Sequence, residues 1–183
     1  LLNPTRIEAF EVLKKMGASI EYAIKSKDLE VIGDIYIEHA PLKAIAINQN
    51  TASLIDEIPA LSIAMLFAKG KSMVKNAKDL RAKESDRIKA VVSNFKALGI
   101  ECEEFEDGFY IEGLEDISQL KQCFSRIKPP IIKSFNDHRI AMSFAVLTLI
   151  LPLEIDNLEC ANISFPTFQL WLNLFKKRSL NGN

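Results

Sequence analysis

The feature that most constrains this chain is that it repeats itself. Sliding the sequence by 81 positions lays "DEIPALSIAMLFAKGKSMVKN" (56–76) on "DHRIAMSFAVLTLILPLEIDN" (137–157). Asp56 then meets Asp137, Ala60 meets Ala141, Ser62 meets Ser143, Leu66 meets Leu147 and Asn76 meets Asn157. With one residue of slip, "LKKMGASI" (13–20) lies on "FKALGIEC" (95–102), which matches Lys14 to Lys96 and Gly17 to Gly99. Two matches in the same order at nearly one period describe a supersecondary unit built twice, with equivalent residues at equivalent places.

The repeat sorts the helices into two kinds. Apolar residues at helical spacing predict amphipathic helices over about residues 5–16, 86–98 and 167–177. Residues 57–68 and 138–150 are apolar nearly all round, which predicts helices buried on every side. Pro59 falls in the first turn of the former, where it does not break a helix. Strand candidates are 18–24, 34–38, 42–48, 72–76, 100–105, 109–112 and 153–157, and "EDGFYIEG" (106–113) predicts a hairpin with a tight Asp-Gly turn. The unit reads strand, amphipathic helix, strand, strand, buried helix, strand. The expected class is therefore α/β, with buried central helices, roughly two units and the opening of a third. No linker or low-complexity stretch interrupts it, so residues 1–183 are expected to form a single domain.

Composition narrows the function classes. The 183 residues are 48% hydrophobic and 26% charged, enough for a substantial core. A net charge of −1 offers no basic field for nucleic acid or an anionic membrane. Cys102, Cys123 and Cys160 form no close pair, which points to a reducing compartment without disulfide framework or zinc site. His39 and His138 are too few for a histidine metal cluster. The longest apolar run, 140–153, is too short to cross a bilayer, and no signal-peptide pattern is visible, so a cytoplasmic location is expected. The opening "LLNPTRIEAF", without an initiator Met, points to a fragment of a longer protein.

Chemistry-bearing residues collect at the predicted helix starts. In "LRAKESDR" (80–87) five of eight residues are charged, Ser85 is the candidate N-cap, Arg87 falls in the first turn and Lys83 just before it. A cation there opposes the helix dipole by up to about 1 kcal/mol unless an anion lies nearby. "NPTR" places Arg6 in another first turn, and "DHR" supplies Asp137, His138 and Arg139. Asp56 and Asp137 are the expected N-caps of the two apolar helices. Two readings stand open. The compensating anion is internal, with Glu84 and Asp86 beside the cations in a solvated ion-pair cluster. Alternatively, free N–H groups and converging Arg and Lys form a site for a small molecule bearing several negative groups, with Glu84, His138 and Asp56 as nearby proton carriers.

"LRAKESDR" followed by "LG", "DHRIAM" after it and "LNPTR...LKKMGA" before it resemble, in order and along essentially the entire chain, the carboxy-terminal part of the 5-enolpyruvylshikimate-3-phosphate synthase family. The resemblance implies two similar lobes of three βαβαββ units each, with ligands in the cleft between them. This chain would be most of one lobe, an incomplete carboxy-terminal one, and its partner the missing amino-terminal lobe of the same polypeptide, a monomer when full length. The implied reaction transfers the enolpyruvyl group of phosphoenolpyruvate to the 5-hydroxyl of shikimate 3-phosphate and releases phosphate, in chorismate and aromatic amino acid biosynthesis. It implies no organic cofactor and no obligatory metal.

By the same resemblance, Asp56 contacts the substrate hydroxyls and is a candidate base, Lys83 lies between the two ligands, and Glu84 moves a proton at the methylene carbon. Arg87 and Arg139 hold phosphoenolpyruvate, His138 is their motif neighbour, and Asp79 stands where some members have an Asn that touches shikimate 3-phosphate. Near Ile163 and Ser164 some members carry a further Lys, which this chain lacks. The sister UDP-N-acetylglucosamine enolpyruvyl transferase shares the fold but is not expected to carry both "KESDR" and "DHRIAM", and stands as one alternative. The other is a non-catalytic anion-binding half, since the chain alone is expected to be inactive.

Overall fold

The computed structural model describes residues 1–27, 30–114, 116–126, 128 and 130–181. For Arg6 and Cys123 it describes the backbone alone, so the expectation placed on the Arg6 side chain lies outside the described residues.

The elements run α1 (Pro4–Lys15), β1 (Ser19–Ser26), β2 (Ile32–Glu38), β3 (Leu42–Lys43), β4 (Ala46–Ile47), α2 (Ile58–Leu66), β5 (Ala68–Lys69) and β6 (Lys71–Val74). A 3₁₀ turn (Lys78–Ala82) leads to α3 (Arg87–Ala97), β7 (Cys102–Phe105), β8 (Gly108–Glu112), α4 (Ser118–Arg126) and β9 (Ile131–Ile132). Then come α5 (His138–Ala145), a 3₁₀ turn (Val146–Leu149), β10 (Glu154–Ile155), a 3₁₀ turn (Leu158–Ile163) and α6 (Phe168–Asn181).

The repeat is visible in three dimensions. β4 and β6 pair in parallel across the crossover helix α2, and β9 and β10 pair in parallel across α5. In each unit a 3₁₀ turn then leads to an amphipathic helix, α3 or α6. Gly17 and Gly99, matched by the repeat, follow α1 and α3 with φ of +104° and +77°, left-handed conformations that favour glycine at a helix end. The β7–β8 hairpin joins β6 edge-on in the sheet order β4-β6-β8-β7. Its turn differs from the expected one: Phe105 pairs with Gly108, so Glu106 and Asp107 make the bend. Gly108 answers a close approach instead, because a Cβ there would come within 1.9 Å of the Val74 carbonyl oxygen on β6.

α2, α3 and α5 meet over β8 in one core that includes Ile58, Met65, Leu66, Ile88, Phe95, Phe109, Ile111 and Phe144. The rings of Phe95 and Phe144 lie 5.0 Å apart at their centroids. This packing brings the N-termini of the three helices together. The two apolar helices are not buried on every side, contrary to expectation: Ala60 is exposed on α2, and Val146, just past α5, is 44% exposed. Trp171 and Phe175 of α6 extend the same apolar face. The strands β5 and β9 and helix α4 were not among the expected elements. Two-residue strands leave no periodicity to read, and α4 offers only Leu120 and Phe124 as an apolar pair. No helix among the described residues is long and apolar enough to cross a membrane.

Candidate active site at three helix starts

Each helix start solves its capping problem differently. At α3 the cap is Asp86, whose carboxylate accepts from the Lys89 backbone N–H at 3.0 Å. The expected cap, Ser85, donates its hydroxyl to Asp137 Oδ2 at 3.0 Å. At α5, Asp137 is the cap as expected: its Oδ1 accepts from the N–H groups of Arg139 (2.9 Å) and Ile140 (3.4 Å). At α2 the expected cap, Asp56, makes no bond to its helix; Glu57 occupies the cap position without a side-chain bond. The Ile58 N–H is taken by the Leu54 carbonyl at 2.9 Å, and Pro59 has no N–H to offer. The Asp56 carboxylate is left for other partners.

Those partners are two arginines. Arg87, 1% exposed, donates from Nε to Asp137 Oδ2 (2.9 Å), from Nη1 to Asp56 Oδ1 (2.9 Å) and from Nη2 to Glu84 Oε2 (2.6 Å). Arg139, 83 positions from Asp56, donates from Nη2 to Asp56 Oδ2 (3.1 Å) and from Nη1 to the Asp56 carbonyl (3.3 Å). The charge of Arg87 in a first turn is therefore met within the chain, by carboxylates from three helix starts. Of the two acids beside the octet's cations, Glu84 serves Arg87, whereas Asp86 pairs with Arg81 at 2.8 Å. Arg81 also binds Glu104 on β7 and so ties the 3₁₀ turn to the hairpin.

The electrostatics follow. Burial pushes the Asp56 carboxyl up, but the Arg87 hydrogen bond and the charges of Arg139, Arg87 and Lys83 outweigh it and hold it below the ordinary carboxylate value. Asp137 behaves likewise: burial raises it, and Arg87, the Arg139 N–H and Ser85 together bring it below the usual range. Burial works against the Arg87 charge, and the bonds from Asp137 and Asp56 with the charge of Glu84 more than restore it.

Lys83 and Glu84 are exposed at the edge of this cluster, and His138 is half-buried as the first residue of α5. Asp79 is exposed in the 3₁₀ turn. Among the described residues neither His138 nor Asp79 shares a hydrogen bond or ion pair with Arg87, Arg139 or Asp56. A groove of about 250 Å³ opens beside Asp56 and Arg139 and runs along Ala60, Met142, Ser143, Val146 and Phe168. The Arg139 side chain, 31% exposed, is the cation that faces it. Sequence reasoning assigned no partner to Ser85 and no consequence to Pro59. The missing N–H at Pro59, set against Ile140 by the repeat, was the available signal.

Comparison with known proteins supplies the family. The family model described as EPSP synthase (3-phosphoshikimate 1-carboxyvinyltransferase) matches residues 1–172. A 3-phosphoshikimate 1-carboxyvinyltransferase of Helicobacter pylori (strain J99) is 93% identical over the whole chain, which covers 43% of that relative. One from Campylobacter jejuni subsp. doylei is 52% identical over 168 residues, 92% of this chain and 37% of its own length. The solved structure of an EPSP synthase from Acinetobacter baumannii superposes with a TM-score of 0.78 at 37% identity, covering 94% of this chain and 39% of that one. The chain thus spans less than half the length of the relatives it matches. With 172 of its residues under the family model and this fold, the chain belongs to the EPSP synthase (3-phosphoshikimate 1-carboxyvinyltransferase) family.

Proposed function

We propose that this chain is the carboxy-terminal part of an enzyme that transfers the enolpyruvyl group of phosphoenolpyruvate to the 5-hydroxyl of shikimate 3-phosphate and releases phosphate. One observation carries the reading beyond family membership: Arg87 and Arg139 clasp the two oxygens of one carboxylate, Asp56, with Glu84 and Lys83 at the same edge.

Phosphoenolpyruvate carries about three negative charges near neutral pH, by analogy with other phosphate monoesters beside a carboxylate. Arg139 faces the groove and takes the ligand's anionic oxygens, with Lys83 as a second, exposed cation. Arg87 contributes from beneath, through the Nη edge that Glu84 and Asp56 now occupy. A ligand carboxylate arriving there displaces Glu84, whose side chain is 49% exposed and free to swing outward. Ionised Asp56 takes the proton of the 5-hydroxyl as its oxygen bonds to the central carbon, and Glu84 delivers a proton to the methylene carbon. In the second half Glu84 recovers a proton from that carbon, the carbon–oxygen bond to phosphate breaks, and the departing phosphate takes up the proton that Asp56 held. The two arginines depress the proton affinity of Asp56 in the empty site. A bound anion that engages them relieves that depression when the base is needed. His138 and Asp79 act, in this reading, on ligand groups beyond the cluster. The remaining contacts come from the rest of the polypeptide.

The test uses the full-length parent protein. Phosphate release should require both substrates, and Arg139→Ala should lower it about a hundredfold or more, whereas Ala82→Ser should leave it unchanged. Absence of shikimate-3-phosphate-dependent release from the parent overturns the reading.

A further inference from the structure

Asp137 has no exposed surface, yet it is bonded to both arginines of the cluster. Its oxygens divide the work. Oδ1 caps α5 through the N–H of Arg139, which fixes the backbone from which that side chain departs. Oδ2 accepts from Arg87 Nε and from the Ser85 hydroxyl, which fixes the rotation of the buried guanidinium. Only the Nη1 and Nη2 edge of Arg87 is then left to meet Asp56, Glu84 or a ligand.

We propose that Asp137 is a positioning residue for anion binding: through its Oδ2 it holds Arg87 in the one orientation that aims the Nη edge at the ligand, alongside Arg139. The proposal rests on the enolpyruvyl-transfer reading above. It makes a demand that a helix cap does not. Asn caps a helix as well as Asp does, so a capping role alone predicts that Asp137→Asn is nearly silent. A positioning role does not, because an Asn that keeps its oxygen on the α5 N–H groups turns its amide N–H₂ toward Arg87 Nε–H, donor against donor. The charge-assisted bond is lost, and the guanidinium is held only from its Nη edge, by the groups a ligand must displace or share.

In the full-length enzyme, Asp137→Asn should raise the KM for phosphoenolpyruvate about tenfold or more, with the KM for shikimate 3-phosphate within about twofold and kcat falling less than KM rises. In an Arg87→Ala background the same substitution should add less than about twofold, because Asp137 acts through Arg87. An unchanged phosphoenolpyruvate KM, or an effect fully additive with Arg87→Ala, overturns the proposal. If Asp137→Asn does not fold, Ser85→Ala carries the same test at smaller amplitude. It should raise that KM about twofold to threefold, and only when Arg87 is present; no rise overturns the proposal. Calorimetry with inorganic phosphate separates the two levels of the account. If the parent releases no phosphate from the substrate pair, the functional reading fails. Weaker phosphate binding by Asp137→Asn than by the parent would still support positioning, and equal binding would overturn it.

Discussion

At the start of α5, Asp137 is closed to solvent, and its oxygens serve the helix, Ser85 and Arg87 together. At the start of α2 its repeat-equivalent, Asp56, is 35% exposed, bonds nothing in its own helix and is shared between Arg87 and Arg139. The same residue in the same place of two copies of one unit has been given opposite work. The difference traces to two backbone donors. Asp137 accepts from the N–H groups of Arg139 at 2.9 Å and Ile140 at 3.4 Å, whereas the equivalent positions of α2 are Ile58 and Pro59. With the second donor absent and the Ile58 N–H already bonded to Leu54, the Asp56 carboxylate turns to the two arginines. A repeat thus yields a site by leaving one copy regular and depriving the other of its cap.

If the division is real, substitutions at the two aspartates should separate stability from chemistry. Asp137→Ala removes a cap and leaves a buried guanidinium short of its innermost partner, so the full-length protein should lose about 3–5 kcal/mol in denaturant unfolding. Asp56→Asn should lower turnover about 10²–10³-fold and lower the unfolding midpoint less than Asp137→Ala does. The same pattern at both positions would break the comparison.

Next in size is Glu84→Gln. Its carboxylate sits on the Arg87 edge that a ligand would take, so its removal should tighten phosphoenolpyruvate binding about threefold to tenfold, read by calorimetry, while turnover falls. Weaker binding would mean that Glu84 supports the ligand and does not compete with it.

A smaller effect is expected in the pH dependence of stability. Asp56 and Asp137 are both held below the ordinary carboxylate value, so each contributes stability that is present above pH about 4 and lost as pH falls through its folded-state value. Chemical denaturation should be flat in these two contributions from pH 7 to about 5 and decline below that. Asp137→Asn should flatten the acid limb more than Asp56→Asn, because the buried carboxylate makes the more numerous bonds.

The smallest effect belongs to the absent one of those two donors. Pro59→Ala restores an N–H at the α2 start and gives Asp56 a competing partner. Phosphoenolpyruvate affinity should fall about twofold to threefold with little change in unfolding midpoint. No change would mean that the arginines, and not the missing donor, decide where Asp56 points.

Much of this was legible in the chain. The period of 81 located the paired apolar helices, one residue of slip matched the positive-φ glycines at 17 and 99, and helix-start reasoning marked the clusters at 83–87 and 137–139. What escaped is nonlocal. Nothing in helical or strand periodicity says that Arg87 is met by carboxylates 31 and 50 positions away, or that the cation opposing the α3 dipole has its anions inside the protein. The capping rule placed Asp56 on its helix because it counts acceptors. The structure turns on donors, one taken by Leu54 and one missing, and the proline that lacks it was read only for whether it would break the helix. The two-residue strands β5 and β9 are set by their parallel partners β3 and β10, which no local pattern reveals.

The most direct test of the clasped carboxylate is a crystal structure of the full-length parent with phosphoenolpyruvate bound. Ligand anionic oxygens should lie on Arg139 and on the Nη edge of Arg87, with Glu84 displaced from that edge and the Asp137–Arg87 bond unchanged. A ligand bound elsewhere, with Arg87 still holding Glu84 and Arg139 still turned onto Asp56 alone, would contradict it.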